Sequence, residues 1–216
     1  MQPAVIFDMD GVLVDTYHAH YKSWVAMAEK EGFTFTEEQF APTFGRTSRE
    51  IIAHFWGSGL SDQRIAEMDA AKEEAFRRII ADDFPAMPGA RDLVESLAED
   101  GFALAVGSSG PPENVAMVLD ELGVSDHFQA VVTGADVTRG KPDPQVFLIA
   151  AERLRTAPAA CAVIEDAPAG VAAARAAGMK AIGLVSTGRA PEDLDEADLV
   201  VRQLSELPPS RIRELF

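Results

Sequence analysis

Cysteine is almost missing from this chain: Cys161 is the single one in 216 residues. A lone thiol closes no internal disulfide and makes no structural zinc site, which excludes a stapled secreted scaffold and a zinc module. Basic residues are also scarce. Nineteen Lys and Arg face thirty-five Asp and Glu, a formal net charge of −16. So acidic a surface argues against broad binding to nucleic acid or to an anionic membrane. No apolar run has the length of a membrane span. Met1-Gln2-Pro3 carries no basic charge, and the apolar run Ala4–Phe7 is too short for a secretory signal. The chain reads as a soluble protein of the reducing cytoplasm. No stripe for self-association stands out, so a monomer is expected. What is present is ordinary for a globular protein: 47% hydrophobic and 25% charged residues. That suffices for a sizeable core in one domain, or in one domain with an insert. If the substrate is an anion, so acidic a chain must gather its few cations locally.

The hydrophobic pattern alternates between two periods. Val5-Ile6-Phe7 is a short buried strand, with Gly11 in the turn after it. His18 to Lys30 repeats apolar residues at helical spacing and stops at Gly32. Thr36-Glu37-Glu38-Gln39 has the spacing of a capping box. Further helices are expected from Ser48 to Phe55 and, capped by Ser61, from Asp62 to Ile80. Helix and strand then alternate: Ala90–Glu99, Ala103–Val106, Pro111–Leu122 with proline in the first turn, Ala130–Val132, a helix from Asp143-Pro144 to Leu154, Cys161–Ile164, Ala169–Ala177, Lys180–Leu184 and Leu199–Val201. Such alternation predicts right-handed βαβ units and a parallel sheet. The stretch from Tyr17 to Pro85 is too long for a connection and is helical throughout. The expected fold is therefore α/β: a Rossmann-like parallel-sheet core from residues 1–15 and 87–216, with an inserted α-helical cap domain from residues 16–86. The acidic stretch Pro191-Glu192-Asp193-Leu194-Asp195-Glu196 reads as a solvated loop.

In open parallel sheets, ligands bind beyond the carboxyl ends of the strands. The first strand is followed by Asp8-Met9-Asp10-Gly11, the second by Ser108-Ser109-Gly110. The third leads through Thr133-Gly134 to Gly140-Lys141-Pro142, and the fourth to Glu165-Asp166. Four strand ends thus deliver carboxylates, hydroxyls, a lysine and a second acidic pair to one edge. Chance turn formers would be scattered. The blander readings are a turn and helix cap for Asp8 and Asp10, capping serines for the helix at Pro111, and a surface lysine for Lys141.

The segment from Phe7 to Asp15, Phe-Asp-Met-Asp-Gly-Val-Leu-Val-Asp, resembles the first motif of the haloacid dehalogenase superfamily of phosphohydrolases. Ser108, Lys141 and Glu165-Asp166 stand in the order of that family's other three motifs. The inserted helices resemble the cap of the subgroup that contains β-phosphoglucomutase and phosphoglycolate phosphatase. The resemblance covers essentially the whole chain. It implies Asp8 as a nucleophile that forms an acyl phosphate, and Asp10 as the acid and base that serves the leaving and attacking oxygens. It implies Mg²⁺ as cofactor, held by Asp8, Asp10 through its backbone carbonyl, Asp166, and Glu165 directly or through water. Lys141 would offset charge between nucleophile and phosphoryl group, and Ser108 would bind the transferring oxygens. The partner expected is a small phosphorylated metabolite.

Specificity would then come from the cap. The resemblance implies a substrate-binding role for His20, one turn beyond Thr16, and for Arg49 and Arg46 in Gly45-Arg46-Thr47-Ser48-Arg49-Glu50, which suit an anion on the remote end of a substrate. Ser109 is a further substrate-binding candidate. The bland alternatives are an exposed helix histidine and a solvated Arg–Glu pair. Two departures matter. The mutase's lysine–asparagine pair after the serine is replaced by Pro111-Pro112, without side-chain donors. Its lysine at the end of the long cap helix falls where this chain reads Ala75-Phe76-Arg77-Arg78. Trp24, Met27, Phe55 and Trp56 read as cap core, and His18, His54 and His127 as structural or exposed. A Mg²⁺-dependent phosphatase is the leading expectation and a phosphomutase the second. A receiver-type signalling module would share the aspartate, acids and lysine, but has no use for a helical lid after the nucleophile strand.

Overall fold

The computed structural model describes residues 2–44, 46–186 and 188–216. Met1 and Gly45, which enter the reading of the termini and of the arginine segment, lie outside the described residues. Strand β1 (Ala4–Phe7) is followed by four helices: α1 (Tyr17–Lys30), α2 (Glu37–Phe40), α3 (Ser48–Trp56) and α4 (Asp62–Asp82). Then come α5 (Ala90–Glu99), β2 (Ala103–Gly107), α6 (Pro112–Leu122), β3 (Ala130–Val132), α7 (Gln145–Leu154), β4 (Cys161–Glu165), α8 (Pro168–Ala176), β5 (Lys180–Leu184), β6 (Leu199–Val201) and α9 (Pro209–Arg213). The chain divides into two compact units, Met1–Asp15 with Ala86–Phe216, and Thr16–Pro85.

The first unit is built on a six-stranded sheet of order β3-β2-β1-β4-β5-β6, parallel at every pairing. β1, β2 and β4 are buried along their whole length. That is why they read as unbroken apolar runs instead of alternating ones: helices cover both faces. One layer of core joins Ile6, Ala105 and Val163 to Phe147 on α7 and to Val171 and Ala174 on α8. Gly107 admits this packing, because a Cβ there would lie 3.0 Å from the Phe147 ring. Val14 bridges Asp10 on one side and Ala86 on the other, so the two chain crossings are tied together within this unit.

The second unit is all helix. Its core gathers Trp24, Met27 and Ala28 of α1, Phe35, Phe40, Ile51 and Ile52, and Ile65 and Met68 of α4. Phe55 and Trp56 pack against this cluster, so the aromatic residues are core, as their helical spacing predicts. Thr36 and Thr47 each close a capping box, and Ser61 caps α4.

Most element ends fall within two residues of the sequence reading, which is the usual fraying at termini. Two segments differ in kind: α9 (Pro209–Arg213) follows a strand where the sequence reading ended, and the acidic stretch is not open loop. Pro191–Leu194 is a 3-10 turn, not a solvated loop. Its acids do face outward, but Leu194 is fully buried and lies against Gly183 of β5. A single apolar residue among acids anchors the segment. No helix of the described residues is long and apolar enough to cross a membrane.

Candidate active site

All strands run one way, so their carboxyl ends share one edge. The chain order reverses at the β1/β4 pair, and the crevice of such a sheet lies there. Asp8 leaves β1 at this point, with its N–H donating to the Ile164 carbonyl of β4 at 3.0 Å. Glu165 ends β4 and Asp166 follows it. Lys141, from the segment between β3 and α7, donates to Asp8 Oδ1 at 2.6 Å and to Glu165 Oε1 at 2.8 Å. The second oxygen of Glu165 accepts the Ala167 N–H at 2.7 Å. Gly170 of α8 is required for this arrangement. A Cβ there would fall 1.7 Å from Glu165 Oε1, so only glycine lets the helix lie over the carboxylate.

Burial pushes the Asp8 carboxyl well above its ordinary range. Lys141 pulls it back, while Glu165 and Asp10 push it further up. For Lys141 the balance is opposite. Burial alone would favour loss of its proton, but Asp8 and Glu165 outweigh burial and raise it, so it stays an ammonium. Asp8, Glu165 and Asp166 each present an oxygen, and the three atoms lie within 4.8 Å of one another. Lys141 touches two of these carboxylates, which leaves a surplus of buried negative charge. An all-oxygen, acid-rich donor set suits a hard divalent cation such as Mg²⁺, not a thiolate-seeking metal. The β1 turn comes up to the same cluster. Gly11 has φ +77°, and a Cβ on it would sit 2.4 Å from Asp166 Oδ2. The residues present therefore fit such an ion.

Asp10 lies in that turn, which is closed by Leu13 N–H to Met9 O at 2.9 Å and Gly11 N–H to Val14 O at 2.8 Å. It is close enough to Asp8 for its charge to be felt there. Ser108 follows β2 and is fully buried, its N–H donating to Val132 O at 3.0 Å. Its Oγ accepts the Gly110 N–H at 3.0 Å. Ser109 is exposed. Neither serine caps the next helix, whose N-cap is Pro111 with no side-chain bond. The capping alternative therefore fails. Gly134 pins this loop: its N–H donates to Gly110 O at 2.8 Å, and a Cβ would lie 2.5 Å from Ser109 O.

The remaining sequence candidates belong to the helical unit. His20 is not an exposed helix histidine. Its ring stacks on Phe76 at 4.2 Å, and its Nδ1 lies 2.9 Å from Lys72 Nζ. An ammonium offers only hydrogens, so Nδ1 is the acceptor and the ring proton sits on Nε2. Lys72 is 3% exposed and also donates to Glu73 Oε1 at 2.7 Å. Arg46 is exposed at the start of α3. Arg49 pairs with Asp62 at the start of α4, not with Glu50, which closes the capping box of α3.

Two sets of residues escaped the sequence reading. Lys72 had a signal: Ile65, Met68, Lys72, Phe76 and Ile80 share one buried face of α4, so a charge falls where the helical period demands an apolar group. The second set lies at the fifth strand end. Ser186 and Arg189 follow β5 on the same edge. Ser186 Oγ lies 2.7 Å from Gly11 O, and Arg189 Nε lies 3.6 Å from Asp166 Oδ2.

Fold and site together define an α/β enzyme with an acidic centre at the switch point of a parallel sheet. The family model of haloacid dehalogenase-like hydrolases matches residues 3–178, and the chain belongs to that family. Over 218 residues it is 35% identical to a β-phosphoglucomutase of Bacillus subtilis, covering 98% of this chain and 94% of the relative. It is 31% identical over 210 residues to a validoxylamine A 7'-phosphate phosphatase of Streptomyces hygroscopicus subsp. limoneus, covering 96% of each. A solved β-phosphoglucomutase of Clostridium difficile superposes with a TM-score of 0.88 at 29% identity, covering 100% of this chain and 97% of that one. The protein is a phosphohydrolase or phosphomutase of this family, in its β-phosphoglucomutase-like subgroup.

Proposed function

We propose that the protein is a Mg²⁺-dependent phosphatase of a small phosphorylated metabolite, a sugar phosphate by class, working through an aspartyl phosphate on Asp8. The observation that carries this reading is the clamp of Lys141 on Asp8 inside a buried, acid-rich cluster. Asp8 attacks phosphorus through a carboxylate oxygen and the ester P–O bond breaks. Asp10 gives its proton to the departing alkoxide, which leaves as an alcohol. Asp10, now a carboxylate, takes a proton from water as that water attacks the acyl phosphate. Phosphate leaves and Asp8 is restored. Lys141 holds Asp8 in place and keeps a positive charge beside it. The Ser108 hydroxyl and nearby backbone N–H groups bind the transferring oxygens. Asp8, Asp166 and the backbone carbonyl of Asp10 would hold Mg²⁺, with Glu165 acting through water because both its oxygens already accept protein donors. When bound, the ion supplies charge that offsets the repulsion between carboxylate and phosphoryl group.

The helical unit is read as a cap that selects the substrate, with His20, Arg49, Arg46 and the exposed Ser109 meeting its non-reacting part. A second reading keeps the same chemistry but ends on a sugar hydroxyl: a phosphomutase. The B. subtilis relative and the part-buried Lys72–His20 contact favour it. Pro111 and Pro112, which offer no side-chain donors, favour hydrolysis. Phosphorus NMR with Mg²⁺ separates the two. The substrate set is a panel of sugar phosphates, including β-glucose 1-phosphate with a bisphosphate primer. Free phosphate accumulating supports the phosphatase. Phosphate moving between positions of one sugar, with little released, overturns it in favour of the mutase. The same reading has the enzyme act in the cytoplasm as a monomer, which light scattering at one chain mass would support.

A further inference from the structure

The fifth strand end carries an arrangement that the phosphoryl chemistry does not use. After β5 the chain passes Ser186 and Arg189 beside Asp166. The Ser186 hydroxyl is 2.7 Å from the Gly11 carbonyl oxygen and 3.3 Å from Asp166 Oδ2. It has one proton, and a carbonyl can only accept, so the shorter contact takes that proton. Arg189 Nε approaches the same Oδ2 at 3.6 Å, an ion pair just beyond hydrogen-bond reach. The Arg189 side chain is 22% exposed, and its Nε is buried with no hydrogen-bond partner among the described residues. A buried donor left unpaired is costly and asks for a reason. The backbone of Gly11 fills the space on another side of Oδ2. The Gly11 backbone, the Ser186 hydroxyl and the Arg189 guanidinium thus all lie around this oxygen, and of the three the guanidinium Nε is the buried donor left unsatisfied among the described residues.

We propose that Arg189 is a positioning residue for the candidate cation site: its guanidinium closes on Asp166 Oδ2 when the site is loaded and fixes that carboxylate for the ion. The inference rests on the reading of Asp8 and Asp166 as metal-holding groups. The guanidinium also places a second positive charge on this acid-rich edge, opposite in chain origin to Lys141. Its planar fork suits a carboxylate, and lysine would keep the charge but not the shape.

The test is Mg²⁺ binding by titration calorimetry to the metal-free full chain, with the Mg²⁺-induced shift in Tm as a second readout. The proteins are wild type, Arg189→Ala, Arg189→Gln and Arg189→Lys. The expected result is a loss of Mg²⁺ affinity of about tenfold or more in the alanine and glutamine variants. The lysine variant recovers part of it, and the metal-free Tm stays close to wild type. A purely structural arginine would lower the metal-free Tm and leave the affinity alone, which overturns the proposal. So does tighter Mg²⁺ binding in Arg189→Ala, since the charge would then oppose the ion instead of ordering its ligand. If the alanine variant does not fold, Arg189→Lys and Arg189→Gln decide between these outcomes. Absence of Mg²⁺ binding by the wild type is a separate result, and it fails the cation-site reading itself.

Discussion

Two lysines withdrawn from solvent, Lys141 in the sheet unit and Lys72 in the helical unit, solve the same problem differently. Lys141 is held by two carboxylates, Asp8 and Glu165, and a third, Asp166, stands within ligand distance of both. Lys72 is held by one carboxylate, Glu73, and one imidazole, His20, with the rings of Phe76 and Trp24 at 5.2 and 5.7 Å. The first arrangement keeps excess negative charge and calls for a cation. The second gathers no such cluster of carboxylate ligands among the described residues, although Asp69 lies near enough to feel both Lys72 and Glu73. A buried ion pair is a scaffold or an orienting device, whereas crowded buried carboxylates are poised for a ligand.

Substitutions at the two lysine clusters can break that contrast. The largest effect is expected for Asp8→Asn: turnover should fall by on the order of 10³-fold or more, measured as phosphate release from the best substrate. The fold should survive and gain stability without metal. Asp8 titrates above its ordinary range when folded, so its contribution to metal-free stability declines as pH rises from the ordinary carboxylate range through the folded value. Asparagine removes that decline. A metal-free Tm at pH 7 below that of wild type would contradict the account of the cluster.

In the helical unit, Lys72→Met should cost about 3–5 kcal/mol in denaturant unfolding, because it removes one member of a buried ion pair. The double change Lys72→Met with Glu73→Gln should recover most of that. A single variant as stable as wild type would mean that the pair is not buried in solution. Arg49→Ala sharpens the comparison further. It should raise KM for doubly anionic sugar phosphates by about tenfold and leave KM for p-nitrophenyl phosphate nearly unchanged. Equal effects on both substrates would remove Arg49 from recognition of a remote anion.

The smallest effect belongs to Asp136. The Arg153 guanidinium and the Thr133 N–H lower its carboxyl to about 2. A depressed value stabilises the fold above the ordinary carboxylate range, and that share is lost as pH falls from about 4 towards 2. Solvent screens so open a pair, so Asp136→Asn should cost less than about 1 kcal/mol at pH 7. The deficit relative to wild type should shrink steadily as pH falls from about 4 towards 2 in a thermal scan. A constant deficit would assign the loss to the hydrogen bonds of the turn instead of the charge.

How much of this was legible beforehand differs by element. The strands announced themselves because a parallel sheet covered on both faces makes unbroken apolar runs, as in Val5-Ile6-Phe7. Asp8, Lys141, Glu165 and Asp166 were legible because each follows a strand, and parallel strands share an edge. Leu194 was not, because its anchoring contact is with Gly183, eleven residues back in the sequence and in another element. Arg49 was expected to meet a substrate anion, with a local pair to Glu50 as the bland alternative, and its partner in the fold is Asp62, thirteen residues on. Lys72 could have been noticed from its place on the apolar face of α4, but its partner His20 is fifty-two residues away. Arg189 follows a strand like the others, yet nothing in its neighbours names Asp166 as the group it approaches.

By itself the sequence determined what depends on local spacing: the alternation of strand and helix, the capping boxes at Thr36 and Thr47, the helical insert, and the family motifs at the strand ends. Only the tertiary structure decided which of those groups meet, and therefore where buried carboxylates crowd together. The reason is physical. Periodicity and capping act over a few residues, whereas the electrostatics of a buried site depend on distances of a few ångströms between residues more than a hundred positions apart. Asp8 and Lys141, 133 residues apart in the chain and joined by a 2.6 Å bond, are the clearest case.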